Sequence, residues 1–162
     1  MKIFDYDFQF QTTGTLQFDP GIGTKHFEHH WCILLCDEQI ADYYRWFLTR
    51  EKIETFKPNA LWSFHMSIIK GEEPTKNKDQ WAKLNGQKVT FHYGNFINYS
   101  NGRHAWLNCY SDDLSDIREF YGLDTNGRKV KYHMTLGRLK KPWEEDVKKP
   151  GTIYKGENLD SI

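Results

Sequence analysis

Two short stretches of this chain set a histidine two residues before a hydroxyl side chain: His65-Met66-Ser67-Ile68-Ile69-Lys70, and much later His133-Met134-Thr135-Leu136-Gly137-Arg138. Histidine titrates near neutrality, so two imidazoles in one cleft can hold opposite protonation states and act on one substrate as base and acid. On a phosphodiester, one takes the proton of an attacking water or ribose hydroxyl while the other gives a proton to the departing oxygen. Ser67 and Thr135 can donate hydrogen bonds to the non-bridging oxygens and stabilise the charge that builds there. The scheme needs neither metal nor cofactor, and no cluster of carboxylates accompanies the two histidines.

If both stretches are strands, side chains two apart share a face. His65 then stands beside Ser67, and His133 beside Thr135. Phe64, Met66 and Ile68, or Tyr132, Met134 and Leu136, point the other way into a core. Lys70 and Arg138 repeat at the same offset from their histidines and are of the type that clamps phosphate. Five residues along a regular strand put them on the opposite face, so a bulge or strong twist is needed to bring them in; surface charge at a strand end is the simpler reading. Gly137 has the parity of His133 and Thr135, which would let a substrate approach the backbone.

The elements around the two stretches repeat as well. Trp31 to Cys36 reads as a buried strand, and Asp37 caps a helix with Ile40, Tyr43, Tyr44, Phe47 and Leu48 on one side. Ala105 to Ser111 is a second such strand, and Asp112 is expected to cap a helix carrying Leu114, Ile117, Phe120 and Tyr121, with Gly122 at its end. The tryptophans Trp31 and Trp106 each precede their capping aspartate by six positions. Strand, helix and histidine strand thus occur twice, which suggests two lobes related by a pseudo-twofold axis with the marked strands facing across a cleft.

The paired His-x-Ser and His-x-Thr motifs, the closing Thr135-Leu136-Gly137-Arg138 and the duplicated frame resemble the 2H phosphoesterase superfamily over roughly His30 to Leu139. The resemblance implies an α+β, bilobal fold in which two antiparallel sheets form a central cleft with helices outside. It also implies metal-independent phosphodiester chemistry on 2',3'-cyclic phosphates, 2'-5' linkages, oligonucleotide ends or cyclic oligonucleotides. His65 and His133 match the catalytic histidines of the family, Ser67 and Thr135 its phosphate-holding hydroxyls. In size and motif spacing the chain is similar to small phage-encoded enzymes that degrade the cyclic oligonucleotide signals of bacterial anti-viral defence. Bases are held on aromatic platforms, for which Trp62, Tyr99, Trp106, Trp143 and Tyr154 are candidates.

With 162 residues the chain is expected to be one domain: an arm over 1–29 that opens with edge or hairpin strand pattern at Phe4, Tyr6, Phe8 and Phe10, a duplicated core over 30–140, and a tail over 141–162. Lys plus Arg and Asp plus Glu both number 22, a balance that argues against coating long nucleic acid but not against a small phosphate ligand. No apolar run is long enough for a signal core or a membrane span, so a cytoplasmic protein is expected. Three cysteines, Cys32, Cys36 and Cys109, lack zinc-type spacing and read as packed thiols. His26-Phe27-Glu28-His29-His30 fits no firm metal template, Gly21-Ile22-Gly23-Thr24 reads as a turn, and His92 and His104 lack a hydroxyl partner. The alternative from another class is a module that uses the same cleft to sequester a nucleotide without turnover; the plainest one is a scaffold with core histidines. Oligomeric state, base preference and the choice of acid and base are not legible at this level.

Overall fold

A computed structural model describes residues 2–3, 6–23, 29–51, 56–57, 63–99 and 104–139. Within them the chain is α+β. In chain order the elements are β1 (Lys2–Ile3), β2 (Tyr6–Asp7), β3 (Phe10–Phe18), β4 (Trp31–Leu35), α1 (Glu38–Glu51), β5 (Phe56–Lys57), β6 (His65–Lys70), β7 (Lys88–Tyr99), β8 (His104–Tyr110), α2 (Asp112–Phe120) and β9 (Tyr132–Leu139), with one 3-10 turn at Lys78–Gln80. β1 and β2 pair only with each other, and the remaining seven strands form one antiparallel sheet in the order β5-β9-β8-β7-β3-β4-β6. The sheet nearly closes on itself: Cα atoms of β6 and β9 come within 8 Å, although no ladder joins the two strands.

Two sheets forming a cleft were expected, but the strands of both halves share one seven-stranded sheet, because the arm takes part. β3 pairs with β4 on one side and with β7 on the other, and so joins the two halves that the duplicated pattern separates. The aromatic alternation at the amino end points to an edge or hairpin strand, and β1 and β2 do pair antiparallel there. The alternation that buries is the next one, Gly14, Leu16 and Phe18, and it makes β3 a central strand. Gly14 is needed at the crossing with β4: a Cβ there would lie 2.6 Å from Leu34 Cγ and 2.7 Å from the Leu35 carbonyl oxygen. Since a backbone atom cannot swing aside, Gly14→Ala is expected to cost about 1–3 kcal/mol of stability, read as a lower midpoint in urea unfolding with an unchanged slope.

One face of the sheet packs against both helices. Leu16, Phe18, Cys32, Leu34, Val89, Phe91, Leu107 and Cys109 join Met66, Ile68, Met134 and Leu136 in a core with Ala41, Tyr44 and Leu48 of α1 and Leu114, Ile117 and Tyr121 from α2 and its end. The two histidine strands thus send their apolar parity to the core, as the pleat requires. Asp37 caps α1, its carboxylate accepting the Gln39 amide at 2.9 Å. The second cap is displaced by one residue from the expected Asp112: Ser111 is the N-cap and its Oγ accepts the Leu114 amide at 3.3 Å. Asp112 instead sits in the first turn, where a negative charge suits the helix dipole. Cys32, Cys36 and Cys109 are buried and unbridged, and burial pushes their thiols up, away from reactivity.

Candidate active site

The sheet face turned away from the core carries both motifs. Directly opposed residues of an antiparallel pair share a face, so the register assigns each side chain. Leu35 opposes His65 and Ile33 opposes Ser67 in the β4–β6 pair; Asn108 opposes His133 and Trp106 opposes Thr135 in the β8–β9 pair. Trp31 and Ile33 are 5% and 0% exposed yet stand outside the core cluster, because they lie beneath this second face. Near closure of the sheet sets β6 beside β9, and the two histidine-hydroxyl pairs therefore occupy the same face of neighbouring strands.

Each histidine is held the same way. The Nδ1 of His65 lies 2.7 Å from the Ser63 carbonyl oxygen, which can only accept, so the proton sits on Nδ1 and Nε2 is left for chemistry. His133 bonds the backbone of Lys131, again two residues upstream. Each ring also lies against the tryptophan of its partner strand, His65 with centroids 6.2 Å from Trp31 and His133 6.0 Å from Trp106. Burial is the main influence on both imidazoles and lowers their pKa below the ordinary 6.5, opposed by the backbone bonds; Lys70 lowers His65 further and Glu38 raises it. If one imidazole must be neutral and the other charged, kcat/KM traces a bell whose two limbs belong to the free enzyme, with its maximum on the acid side of 6.5 and a fall through neutrality as the acid loses its proton. A bound phosphate anion favours imidazolium, so the kcat maximum is expected at higher pH than that of kcat/KM. A kcat/KM maximum above neutrality would contradict this reading of the two imidazoles.

The hydroxyls differ in their surroundings. Trp31 Nε1 donates to Ser67 Oγ at 3.1 Å. One serine lone pair is thereby engaged and its own proton is directed elsewhere, which suits a donor to an anionic oxygen. Trp106 Nε1 donates instead to Asn108 Oδ1 at 3.1 Å, which orients that amide. On this side the face opens into a cleft of about 660 Å³ lined by Asn98, His104, Trp106, Asn108, Lys131, His133 and Thr135. The two halves share a frame but differ in room: Trp31 is buried under its face, while Trp106 is only partly so.

The strand parity of the basic residues is reversed by two matching bulges. On β6 the register passes from Ser67–Ile33 to Ile69–Cys32, so Ile68 is an extra residue without a ladder partner. On β9 it passes from Thr135–Trp106 to Gly137–Ala105, so Leu136 is the extra residue. An extra residue flips the parity of every later position on its strand. Lys70 now opposes Trp31 and Arg138 opposes His104, which sets both cations on the histidine face. The Lys70 ammonium lies 5.3 Å from the centre of a Trp31 ring. The same shift removes Gly137 from that face: it opposes Ala105, which is buried on the core side, so the expected approach of substrate to its backbone is corrected. Its φ of 152° explains the glycine, since a Cβ disfavours that conformation and the bulge imposes it.

Among the stacking candidates, Tyr99 opposes Ala105 and so faces away from the histidines, whereas its neighbour Asn98 opposes Trp106 and lines the cleft. Trp106 lies in the cleft wall beside His133. Trp62, Trp143 and Tyr154 lie outside the described residues, as do His26, Phe27 and Glu28. Asn98, Asn108, Lys131 and the indole hydrogen bonds went unread in the sequence, although the alternation of Trp106 and Asn108 with buried Leu107 and Cys109 carried the signal for β8. His104, set aside for want of a hydroxyl partner, belongs to the cleft because Trp106 and Asn108 share its parity. Among the described residues no group of three or more His, Cys, Asp or Glu converges as a metal site, and no helix is long and apolar enough to cross a membrane. No family model, curated protein or solved structure matches the chain.

Proposed function

We propose that this chain is a metal-independent phosphodiesterase of the 2H type that cleaves a small nucleotide substrate, a cyclic oligonucleotide signal, a 2',3'-cyclic phosphate or a 2'-5' linkage, in the manner of a phage counter-defence enzyme. One observation carries the reading. Two histidines on neighbouring strands share a face, each with a ring nitrogen bonded to the carbonyl or backbone two residues upstream, each with a hydroxyl two residues on and a cation turned to the same side. A scaffold has no need to repeat four chemical groups in register. Each half is then one lobe of a bilobal 2H-like site, with β3 as the strand that welds the lobes into one sheet.

The roles divide by environment. His65 is half-buried and has Lys70 near it, both of which favour the neutral ring, so it serves as the base that takes the proton of water or a ribose hydroxyl. His133 is more exposed and borders the open cleft, so it gives its proton to the departing oxygen. Ser67 and Thr135 donate to the non-bridging oxygens, with Lys70 and Arg138 balancing the charge that grows there. Trp106 offers a stacking surface, and Asn98 and Asn108 offer amides to a base edge.

The test is a panel of cyclic dinucleotides, cyclic trinucleotides, 2',3'-cyclic mononucleotides and 2'-5' oligoadenylate, incubated with the protein in EDTA and resolved by chromatography. Cleavage of at least one class is expected. Tight binding with every ligand recovered intact would overturn the enzyme reading in favour of a sequestering module.

A further inference from the structure

The two bulges that turn Lys70 and Arg138 toward the histidines are each met by an arginine from the helix of the opposite half, Arg118 buried and Arg45 half-buried. Arg118 of α2 donates through Nη1 to the carbonyl oxygen of Ile68, the extra residue of β6, at 2.7 Å. Arg45 of α1 donates through Nε to the carbonyl oxygen of Leu136, the extra residue of β9. A residue left out of its ladder has a carbonyl that still needs a donor, and burial makes an unmet one costly. Both arginines are themselves braced. The Arg118 guanidinium forks onto Glu72 at 2.8 and 2.7 Å and also donates to the Asp124 carbonyl, while Arg45 lies 3.9 Å from Glu38 and over the ring of Phe64. Their side chains are 8% and 17% exposed. Neither is on the histidine face, so neither reaches substrate.

We propose that Arg45 and Arg118 are positioning residues that hold the bulges at Leu136 and Ile68 through those carbonyls, and thereby keep Arg138 and Lys70 beside the reacting phosphate. The crossing of helix and strand between halves makes each half the guarantor of the other half's cation, and ties both motifs to one geometry. This rests on the phosphodiesterase reading for its effect on rate, but the positioning itself is a property of the resting protein.

The test therefore has an arm that needs no turnover. In the substrate-free protein, the titration of His65 is followed by NMR in wild type, Lys70→Ala, Arg118→Met and the double variant. Removing the nearby ammonium, which lowers the His65 pKa, is expected to raise it. Arg118→Met is expected to raise it as well, by releasing Lys70 from the face, with no further rise in the double variant and no movement of His133. In the second arm kcat/KM is measured for the same four proteins, for Arg45→Met, Arg138→Ala and their pair, and for the cross pair Arg118→Met with Arg138→Ala. Each single change is expected to cost roughly 10–100-fold, and the pairs Arg118 with Lys70 and Arg45 with Arg138 to cost no more than the worse single. The cross pair, Arg118 with Arg138, is expected to multiply. Should Arg118→Met not fold, Arg118→Lys, which keeps one donor, is expected to leave His65 and kcat/KM near wild type, and the Arg45 series on the other strand carries the loss-of-donor comparison in kcat/KM. A folded Arg118→Met variant with His65 unmoved, or same-strand pairs whose losses multiply, would overturn the proposal. Absence of turnover in wild type together with the expected titrations would instead overturn the enzyme reading and leave the positioning intact.

Discussion

His65→Ala and His133→Ala are each expected to lower kcat by about 10²–10⁴-fold on a natural oxygen-linked substrate, because each removes one of two proton transfers from the transition state. KM should change little, since in the proposed mechanism the hydroxyls and cations, not the imidazoles, hold the phosphate. The double variant should be scarcely slower than the worse single: two groups that act as a unit lose their joint contribution when either is gone. Stability should move by less than about 1 kcal/mol, as both rings lie on the polar face and outside the core. The check is steady-state kinetics beside a urea unfolding curve for each variant. Rates within a few-fold of wild type in either single variant would remove paired acid–base catalysis.

The second large effect belongs to the hydroxyls. Ser67→Ala and Thr135→Val are each expected to reduce kcat by about 10²–10³-fold, the loss typical of one donor to a developing oxyanion. Thr135→Ser should retain most of the rate, because the donor survives. Trp31→Phe offers a finer probe. It removes the indole that donates to Ser67 Oγ and should produce a smaller kcat loss that vanishes in the Ser67→Ala background. An equal loss in both backgrounds would mean that Trp31 acts through packing alone.

How much of the fold and site is legible in the sequence depends on which physical rule each feature obeys. Strand parity is local, so Met66 and Met134 in the core and His65 and His133 on the other face come from the residues themselves. The two strand–helix units come from apolar period and from capping chemistry, with Ser111 taking the cap that the Asp37 analogy gave to Asp112. The β6 bulge has no such local signal, because Ile68-Ile69 is continuous with an apolar strand, and on β9 only Gly137 hints at one. What favours the extra residue is a donor that arrives from another element, Arg118 or Arg45, 50 and 91 positions away in sequence. Parity counted along an unbroken strand was therefore inverted for Lys70, Gly137 and Arg138. The merging of two expected sheets into one has the same character. It depends on which strands β3 meets, and Gly14 as a crossing point between β3 and β4 is visible only once both are in position.

The central claim, that His65 takes the proton and His133 gives one, is tested most directly by replacing the departing oxygen of a cleaved substrate with sulfur. A thiolate leaves without protonation, so the group that supplies the proton becomes dispensable while the base does not. Single-turnover rates on the sulfur-bridged substrate are expected to be restored to near wild type in His133→Ala and to remain depressed by about 10²-fold or more in His65→Ala. Restoration of the His65 variant in place of the His133 variant would reverse the two roles, and equal depression of both would contradict the division of acid and base altogether.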